Sequence, residues 1–132
     1  MSGRRIGAIT FLVRDYDEAI GWFRDALGFS LVSDTSLGGG RRWVLVSPGE
    51  AGTPLLLAEA SGDAQRARIG DQAGGRVGFF LHTDDFARDH ARMIAAGVTF
   101  REEPRREAYG TVAVFEDFYG NLWDLIEPKD PA

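Results

Sequence analysis

Cysteine is absent from the sequence, and its absence excludes three kinds of chemistry. Without a thiol, the chain forms no disulfide bond, offers no thiolate to a metal and has no cysteine nucleophile. Lysine is almost absent too, because Lys129 is the single lysine and the other basic residues are arginines. This bias is typical of a GC-rich coding sequence, so we expect a bacterial protein.

The sequence also lacks an excess of positive charge. Fifteen basic residues stand against 20 acidic ones, which gives a formal net charge of −5. Nucleic acids and anionic membrane surfaces are bound by concentrated positive charge, so we expect neither as a partner. The short basic start, Met1 to Arg5, leads into a strand-like segment, which fits neither a secretory signal nor a membrane span. We therefore expect a cytoplasmic location.

An internal repeat is the most informative feature that the sequence does contain. Ala8 to Tyr16 aligns with Gly78 to Phe86 at an offset of 70 residues (85 − 15 at the matched aspartates). Asp15 and Asp85 each follow a strand-like segment and have the short acceptor side chain that caps a helix. A glycine suited to a helix end, Gly28 or Gly97, follows each helical pattern.

The repeat predicts the same order of elements twice. In the first half, a helix lies between Asp15 and Gly28, and the predicted strands are 6–13, 29–34, 42–47 and 54–60. In the second half, a helix lies between Asp85 and Gly97, and the predicted strands are 77–83, 98–101, 111–115 and 122–127. A short helix is expected at about residues 64–69, in a polar, glycine-rich segment.

This order predicts the α+β fold class, with two tandem βαβββ modules that form cupped mixed sheets. One domain is expected over residues 1–132, made of module 1 (6–60), a linker (61–75) and module 2 (76–128). A helix covers only one face of each sheet, so the other face must be buried by a second unit. The concavity between two such sheets is the natural place for a ligand.

At this point the sequence resembles the vicinal oxygen chelate superfamily, which includes glyoxalase I, bleomycin-resistance proteins and extradiol dioxygenases. The resemblance covers nearly the whole chain, and four segments carry it: 13–29, 69–75, 83–85 and 115–121. It implies the cupped fold just described. In metal-dependent members, it also implies a divalent cation held by one ligand from the first strand and one from the last strand of each module.

The residues at those four positions make a poor metal site. On the first strands the family positions correspond to Ala8 and Gly78, whose side chains have no donor atom. On the last strands they correspond to about Leu57, with Glu59 on the same sheet face, and to Asp124. One or two carboxylates do not hold a divalent transition metal against water. We therefore predict no metal of the glyoxalase type and no other cofactor.

Asp124 is the candidate chemical group, as a general base or as a hydrogen-bond acceptor for a ligand. The alternative is a structural carboxylate that pairs with an arginine or caps a backbone group. His82 is interpreted as a hydrogen-bonded core or lining residue, with acid-base chemistry as its alternative. Strand alternation, the family positions and nearby loops give the predicted ligand-binding residues: Ala8, Thr10, Trp43, Leu57, Glu59, Gly78, Phe80, His82, Tyr109, Tyr119 and Leu122. Alternation does not fix whether Trp43 or its neighbours face the cup.

Three functions are compatible with these residues. The first is a metal-free protein of the bleomycin-resistance kind, which binds a small, partly aromatic molecule in the cup. The second is a glyoxalase-like lyase, isomerase or dioxygenase that uses Asp124 with an unusual metal site or none. The third is a regulatory or accessory domain without turnover. The resemblance also implies a homodimer, with cups formed within one chain or across two.

Overall fold

The computed structural model describes residues 3–129, so Met1 and Ser2 of the basic N-terminal segment lie outside the described residues, as do residues 130–132. The chain divides into two compact units, one up to Ile69 and one from Gly70 onward. The division falls inside the segment that the sequence predicts to be a linker. Along the described part of the chain, no helix is long and apolar enough to cross a membrane.

The first unit is a four-stranded mixed sheet with one long helix. Its elements are β1 (Ile9–Val13), α1 (Tyr16–Leu27), β2 (Ser30–Gly38), β3 (Arg41–Ser47), β4 (Leu55–Glu59) and the short α2 (Gly62–Arg66). The strand order is β1-β4-β3-β2, with β1 parallel to β4 and the other pairs antiparallel. The core lies between α1 and one sheet face, where the rings of Phe11 and Phe23 meet edge to face at 5.2 Å.

The second unit repeats this arrangement and adds a short strand. Its elements are β5 (Val77–His82), α3 (Phe86–Ala95), β6 (Thr99–Phe100), β7 (Arg105–Glu107), β8 (Gly110–Glu116) and β9 (Leu122–Pro128). The strand order is β5-β9-β8-β6, with β7 also paired to β8, and β5 lies parallel to β9. The α+β class and the tandem strand-helix-strand modules predicted from the sequence are thus confirmed.

β7 is absent from the sequence prediction, although the strands around it are present. Its segment, Arg105 to Glu107, is short and charged, so it has none of the apolar alternation that marks a half-buried strand. Pairing with the edge of β8 makes it a strand. This element matters for the site because it carries Arg105.

Each long helix is capped at its start by two carboxylates. Asp15 accepts a hydrogen bond from the Glu18 backbone N–H at 2.8 Å, as its sequence position predicts. A second carboxylate, Glu59 at the end of β4, accepts from the Tyr16 N–H at 3.3 Å. The repeat is complete, because Asp85 and Glu127 do the same for α3. Two of the unpaired N–H groups at each helix start are therefore satisfied.

A buried aspartate organises the turn between β8 and β9. Asp117 is 5% exposed and accepts hydrogen bonds from the backbone N–H groups of Tyr119 and Asn121, from the Asn121 side-chain amide and from the Trp123 indole N–H. Asn121 in turn accepts from the Gln72 N–H at 3.1 Å. Burial raises the pKa of the Asp117 carboxyl, although these hydrogen bonds oppose the rise. This network joins the segment after Gly70 to the last strand.

Candidate functional site

In each unit the sheet face opposite the long helix carries most of the candidate residues, and we call it the open face. On β1 of the first unit, Phe11 and Val13 are buried toward α1, whereas Thr10 is exposed on the open face. Thr10 pairs with Leu56 of β4, and Leu12 pairs with Ala58. Because side chains alternate along a strand, the open face of the first unit carries Thr10, Leu12, Trp43, Leu45, Leu56 and Ala58, with Ala8 just before β1.

Trp43 is the aromatic residue of this face. Its neighbour Val44 is fully buried with Leu57 on the helix side, and Arg42 bonds there to Asp17 of α1. Trp43 therefore faces the other way, with 43% of its surface exposed. The structure thus decides the facing of β3, which the sequence left open.

Two residues predicted to line the cup lie on the opposite face. Leu57 pairs with Phe11 and is fully buried in the core beneath α1. Glu59 pairs with Val13, and its carboxylate caps α1 through the Tyr16 N–H. The position equivalent to Asp124 is Leu56, because Thr10 pairs with Leu56 as its repeat counterpart Phe80 pairs with Asp124. The sequence alignment was therefore one residue out of register on β4.

Asp124 lies on the open face of the second unit. On β9 it stands between Trp123 and Leu125, which are both buried toward α3, and it pairs with Phe80 on one side and Val114 on the other. Its Oδ1 atom is buried, yet it has no hydrogen-bond partner. Among side-chain atoms of residues 3–129, it is the one oxygen or nitrogen in that condition. The structural alternative, a carboxylate satisfied by an arginine or a backbone group, therefore does not hold for Oδ1.

Two residues that the sequence did not single out set the charge around Asp124. Arg105 of β7 donates from Nε to Glu102 at 2.9 Å, and it also pairs with Glu107. The same Glu102 oxygen accepts the Val114 N–H at 3.1 Å. Glu102 and Arg105 come from the segment that the sequence analysis left without structure, and no local pattern marks them. The pairing of β7 with β8 places Arg105 on this face, and the hydrogen bond from the Val114 N–H holds Glu102 beside it.

The surroundings of Asp124 change its acidity. Burial raises the pKa of the Asp124 carboxyl above its usual range, the positive charge of Arg105 opposes the rise, and the negative charge of Glu102 adds to it. Arg105 is itself bound to Glu102 and Glu107. Its positive charge is therefore shared among several carboxylates, and none of the described basic residues forms an ion pair with Asp124 alone.

The other predicted residues of the second unit take different places. Phe80 is 59% exposed, and His82 at the end of β5 is also exposed on the open face, so it is not a core histidine. Leu122 alternates with Asp124 and is half-buried. Tyr109 is 54% exposed and lies in the turn between β7, which carries Arg105, and β8. Tyr119 instead belongs to the Asp117 turn, where its ring stacks on Phe118.

The metal positions of the family can now be tested against the structure. Ala8, Leu56 and Gly78 offer no donor atom, and Glu59 is occupied as a helix cap. At Gly78 even a Cβ would lie 2.8 Å from the Cβ of Ala73, so no ligating side chain fits there without movement. Within residues 3–129, no group of three or more His, Asp or Glu side chains is placed to hold a metal ion. The residues present do not fit the divalent metal of the family.

Comparison with known proteins agrees with this architecture. The sequence model of the Glyoxalase/Bleomycin resistance protein/Dioxygenase superfamily matches residues 5–125, which is most of the chain. An uncharacterized protein of Shewanella frigidimarina (strain NCIMB 400) is 53% identical over 124 residues, which cover 92% of each chain.

Two solved structures are similar over nearly their whole length. UcmS2 superimposes with a TM-score of 0.80 at 28% identity, covering 96% of this chain and 99% of the other. TnmS3, described as an antibiotic binding protein from Streptomyces sp. CB03234, gives a TM-score of 0.77 at 28% identity, covering 98% and 99%.

Proposed function

The chain belongs to the glyoxalase, bleomycin-resistance and dioxygenase superfamily, and on that premise we propose that it binds a small, partly aromatic molecule on its open sheet faces without a metal. The function of TnmS3 as an antibiotic binding protein supports this class of activity. The proposal concerns binding and sequestration, and it requires no turnover.

The observation that carries the proposal is the state of the Asp124 Oδ1 atom. A buried carboxylate oxygen without a hydrogen bond costs free energy, on the order of 1–3 kcal/mol or more for a charged group. The Asp124 side chain as a whole is only half-buried, so a ligand that donates an N–H or O–H to its carboxylate offsets part of that cost. The exposed ring of Phe80, which pairs with Asp124 across β5 and β9, offers an apolar contact beside it.

The first unit supplies a second aromatic surface. Trp43 stands on its open face with Leu45, Leu56 and Ala58, and these side chains are apolar and partly exposed. Aromatic ligands gain from such surfaces both by burial and by ring stacking. The open faces therefore favour molecules with a ring system over small polar metabolites.

The proposal is tested with N-phenyl-1-naphthylamine, an uncharged aromatic probe that fluoresces in apolar sites. We expect saturable binding to the purified protein, weakened by Trp43→Ala about tenfold because a stacked aromatic contact is worth about 1.4 kcal/mol. Ile94→Ala removes an exposed apolar side chain of α3 and should leave binding unchanged. Absence of saturable binding to the wild-type chain, or equal binding by the Trp43 variant, would contradict the proposal.

Elemental analysis of the same preparation tests the metal-free part. We expect less than about one divalent ion per ten chains, since the donors that such a site requires are not present together within residues 3–129. Treatment with EDTA should change neither the melting temperature nor probe binding. A stoichiometric ion whose removal abolishes binding would overturn this part.

A second candidate function is an enzyme in which Asp124 acts as a general base. The raised pKa of Asp124 and its unpartnered oxygen favour it, because a base must be free to accept a proton. The test is turnover of a substrate found by screening. Loss of turnover in Asp124→Asn with retained affinity for the probe would establish the enzyme, and retained turnover would exclude Asp124 as its base.

A further inference from the structure

A cavity of about 720 Å³ lies at one end of the open face in the first unit. Its size is within the range of small-molecule sites, about 300–1,000 Å³. It is formed where the turn between β2 and β3 approaches the end of β4 and the start of α2. Its wall includes Leu37, Arg41, Trp43, Leu56, Ala58 and Gln65.

Two adjacent arginines at this cavity differ in how their charges are used. Arg42 bonds to Asp34 at 2.7 Å and to Asp17 at 3.0 Å, and its guanidinium lies 5.0 Å from the Tyr16 ring centroid. These partners hold it on the helix side of the sheet. Arg41 alternates to the open face, is exposed, and its side chain has no ion pair or hydrogen bond with any of residues 3–129. The cavity thus has a guanidinium, that of Arg41, which is available to pair with a ligand.

Arg41 and Trp43 are two residues apart on β3, so they project from the same face. Both line the cavity, with Leu56 and Ala58 of β4 as its apolar part. Gln65 adds a polar group, and its carbonyl oxygen already accepts the Ser61 N–H at 2.9 Å, which leaves its amide N–H groups as donors. The carboxylate on the wall, Glu59, is bound to the Tyr16 N–H. Glu59 and Arg42 lie on the helix side, so the groups that the open face offers to a ligand are an aromatic ring, apolar side chains and donors, one of them cationic.

From this arrangement we propose that the first unit binds aromatic molecules that carry an anionic group, such as a carboxylate or sulfonate, with the ring on Trp43 and the anion at Arg41. This inference rests on the proposed binding function and specifies the chemical class of its ligand. Arginine pairs well with carboxylate-like groups because its planar N–H groups match two oxygens. The apolar surface beside Arg41 accommodates the ring.

Two probes of the same shape separate this inference from the proposed function. 1-Anilinonaphthalene-8-sulfonate has the ring system of N-phenyl-1-naphthylamine plus one sulfonate. We expect the sulfonate probe to bind more tightly than the uncharged one, and Arg41→Gln to weaken it about fivefold, which corresponds to about 1 kcal/mol for an exposed charged pair. Affinity for the uncharged probe should not change in that variant.

Arg4→Gln is the matched control, because it removes the same charge from an exposed position of the same unit that does not line the cavity. It should leave both affinities unchanged. The difference between the probes should also shrink as salt is added, since exposed charges are screened. Trp43→Ala should lower the affinity for both probes.

The outcomes are distinguishable. If neither probe binds, the proposed function fails and the inference fails with it. If both bind equally, or if Arg41→Gln leaves the affinity for the sulfonate probe unchanged, only the anion preference is overturned. An equal loss in Arg4→Gln and Arg41→Gln would mean that general charge, and not the cavity, attracts the sulfonate.

Discussion

Asp124 owes its chemical character to its neighbours and not to its residue type. On β9 it alternates with side chains buried toward α3, so its carboxylate is held against the sheet with one oxygen hidden from water. Arg105 is near enough to influence it but is bound to Glu102 and Glu107. In this setting the charged form of an aspartate is less stable than in water, so the carboxylate accepts a proton more readily.

We therefore expect Asp124 to reduce the stability of the folded state as the pH rises. Its folded pKa is raised, so in the window above its unfolded value the folded state binds more protons than the unfolded one, and the free energy of unfolding falls with pH. Asp124→Asn lacks the carboxyl group and therefore lacks its contribution to the pH dependence of stability. In urea titrations between about pH 4 and pH 7, the stability of the variant relative to wild type should increase with pH and level off above the folded pKa.

Taking the difference between the two proteins at each pH cancels the titration of the other carboxylates. A relative stability of Asp124→Asn that decreases as the pH rises would mean that the carboxylate is favourably paired in the folded state.

At the scale of the elements, the double capping of α1 and α3 ties each helix to the last strand of its own sheet. The local cap, Asp15 or Asp85, comes from the residue before the helix. The distant cap, Glu59 or Glu127, comes from the end of a strand about 40 residues away, at separations of 43 and 41. A negative charge at a helix start also interacts favourably with the helix dipole. The distant caps therefore fix where each helix begins relative to its sheet.

Removing a distant cap should lower the free energy of unfolding, and the loss should be larger when the hydrogen-bond acceptor is removed than when it is kept. We expect Glu127→Ala to lower the free energy of unfolding by about 1 kcal/mol, because the Phe86 N–H, bonded at 2.7 Å, loses its partner. Glu127→Gln keeps an acceptor oxygen and should cost less. Urea unfolding checks both, with Glu103→Ala at an exposed position as control. Equal losses in the alanine and glutamine variants would show that charge, and not the hydrogen bond, matters.

At the scale of the whole molecule, an exposed strand edge with apolar side chains leads us to expect that the chain associates with another chain. β2 is an edge strand of its sheet, and Leu31 and Val32 on it are 48% and 58% exposed. Exposed strand edges and apolar side chains of this kind are commonly buried by pairing with another chain. A second copy of the chain is the partner that we propose.

We expect sedimentation or light scattering at about 10 µM to give twice the 14.5 kDa chain mass. Val32→Glu places a charge on the exposed edge and should shift the equilibrium toward monomer, whereas Ile94→Glu on α3 should not. Circular dichroism of both variants shows whether the fold is kept. A monomeric wild-type chain at that concentration would contradict the homodimer.

The sequence by itself determined the order of the longer elements and placed Asp124 in the last strand. Capping residues, turn glycines and strand alternation are local signals, and the repeat supplies them twice, so α1, α3 and most strands follow from them. The tertiary structure alone decided the facing of β3 and β4, because a shift of one residue exchanges the two faces of a strand. It moved Leu57 and Glu59 to the helix side and brought Leu56 and Trp43 to the open face. Arg105 likewise comes to influence Asp124 only because β7 pairs with β8, which in turn pairs with β9, and the short charged sequence of β7 does not mark it as a strand.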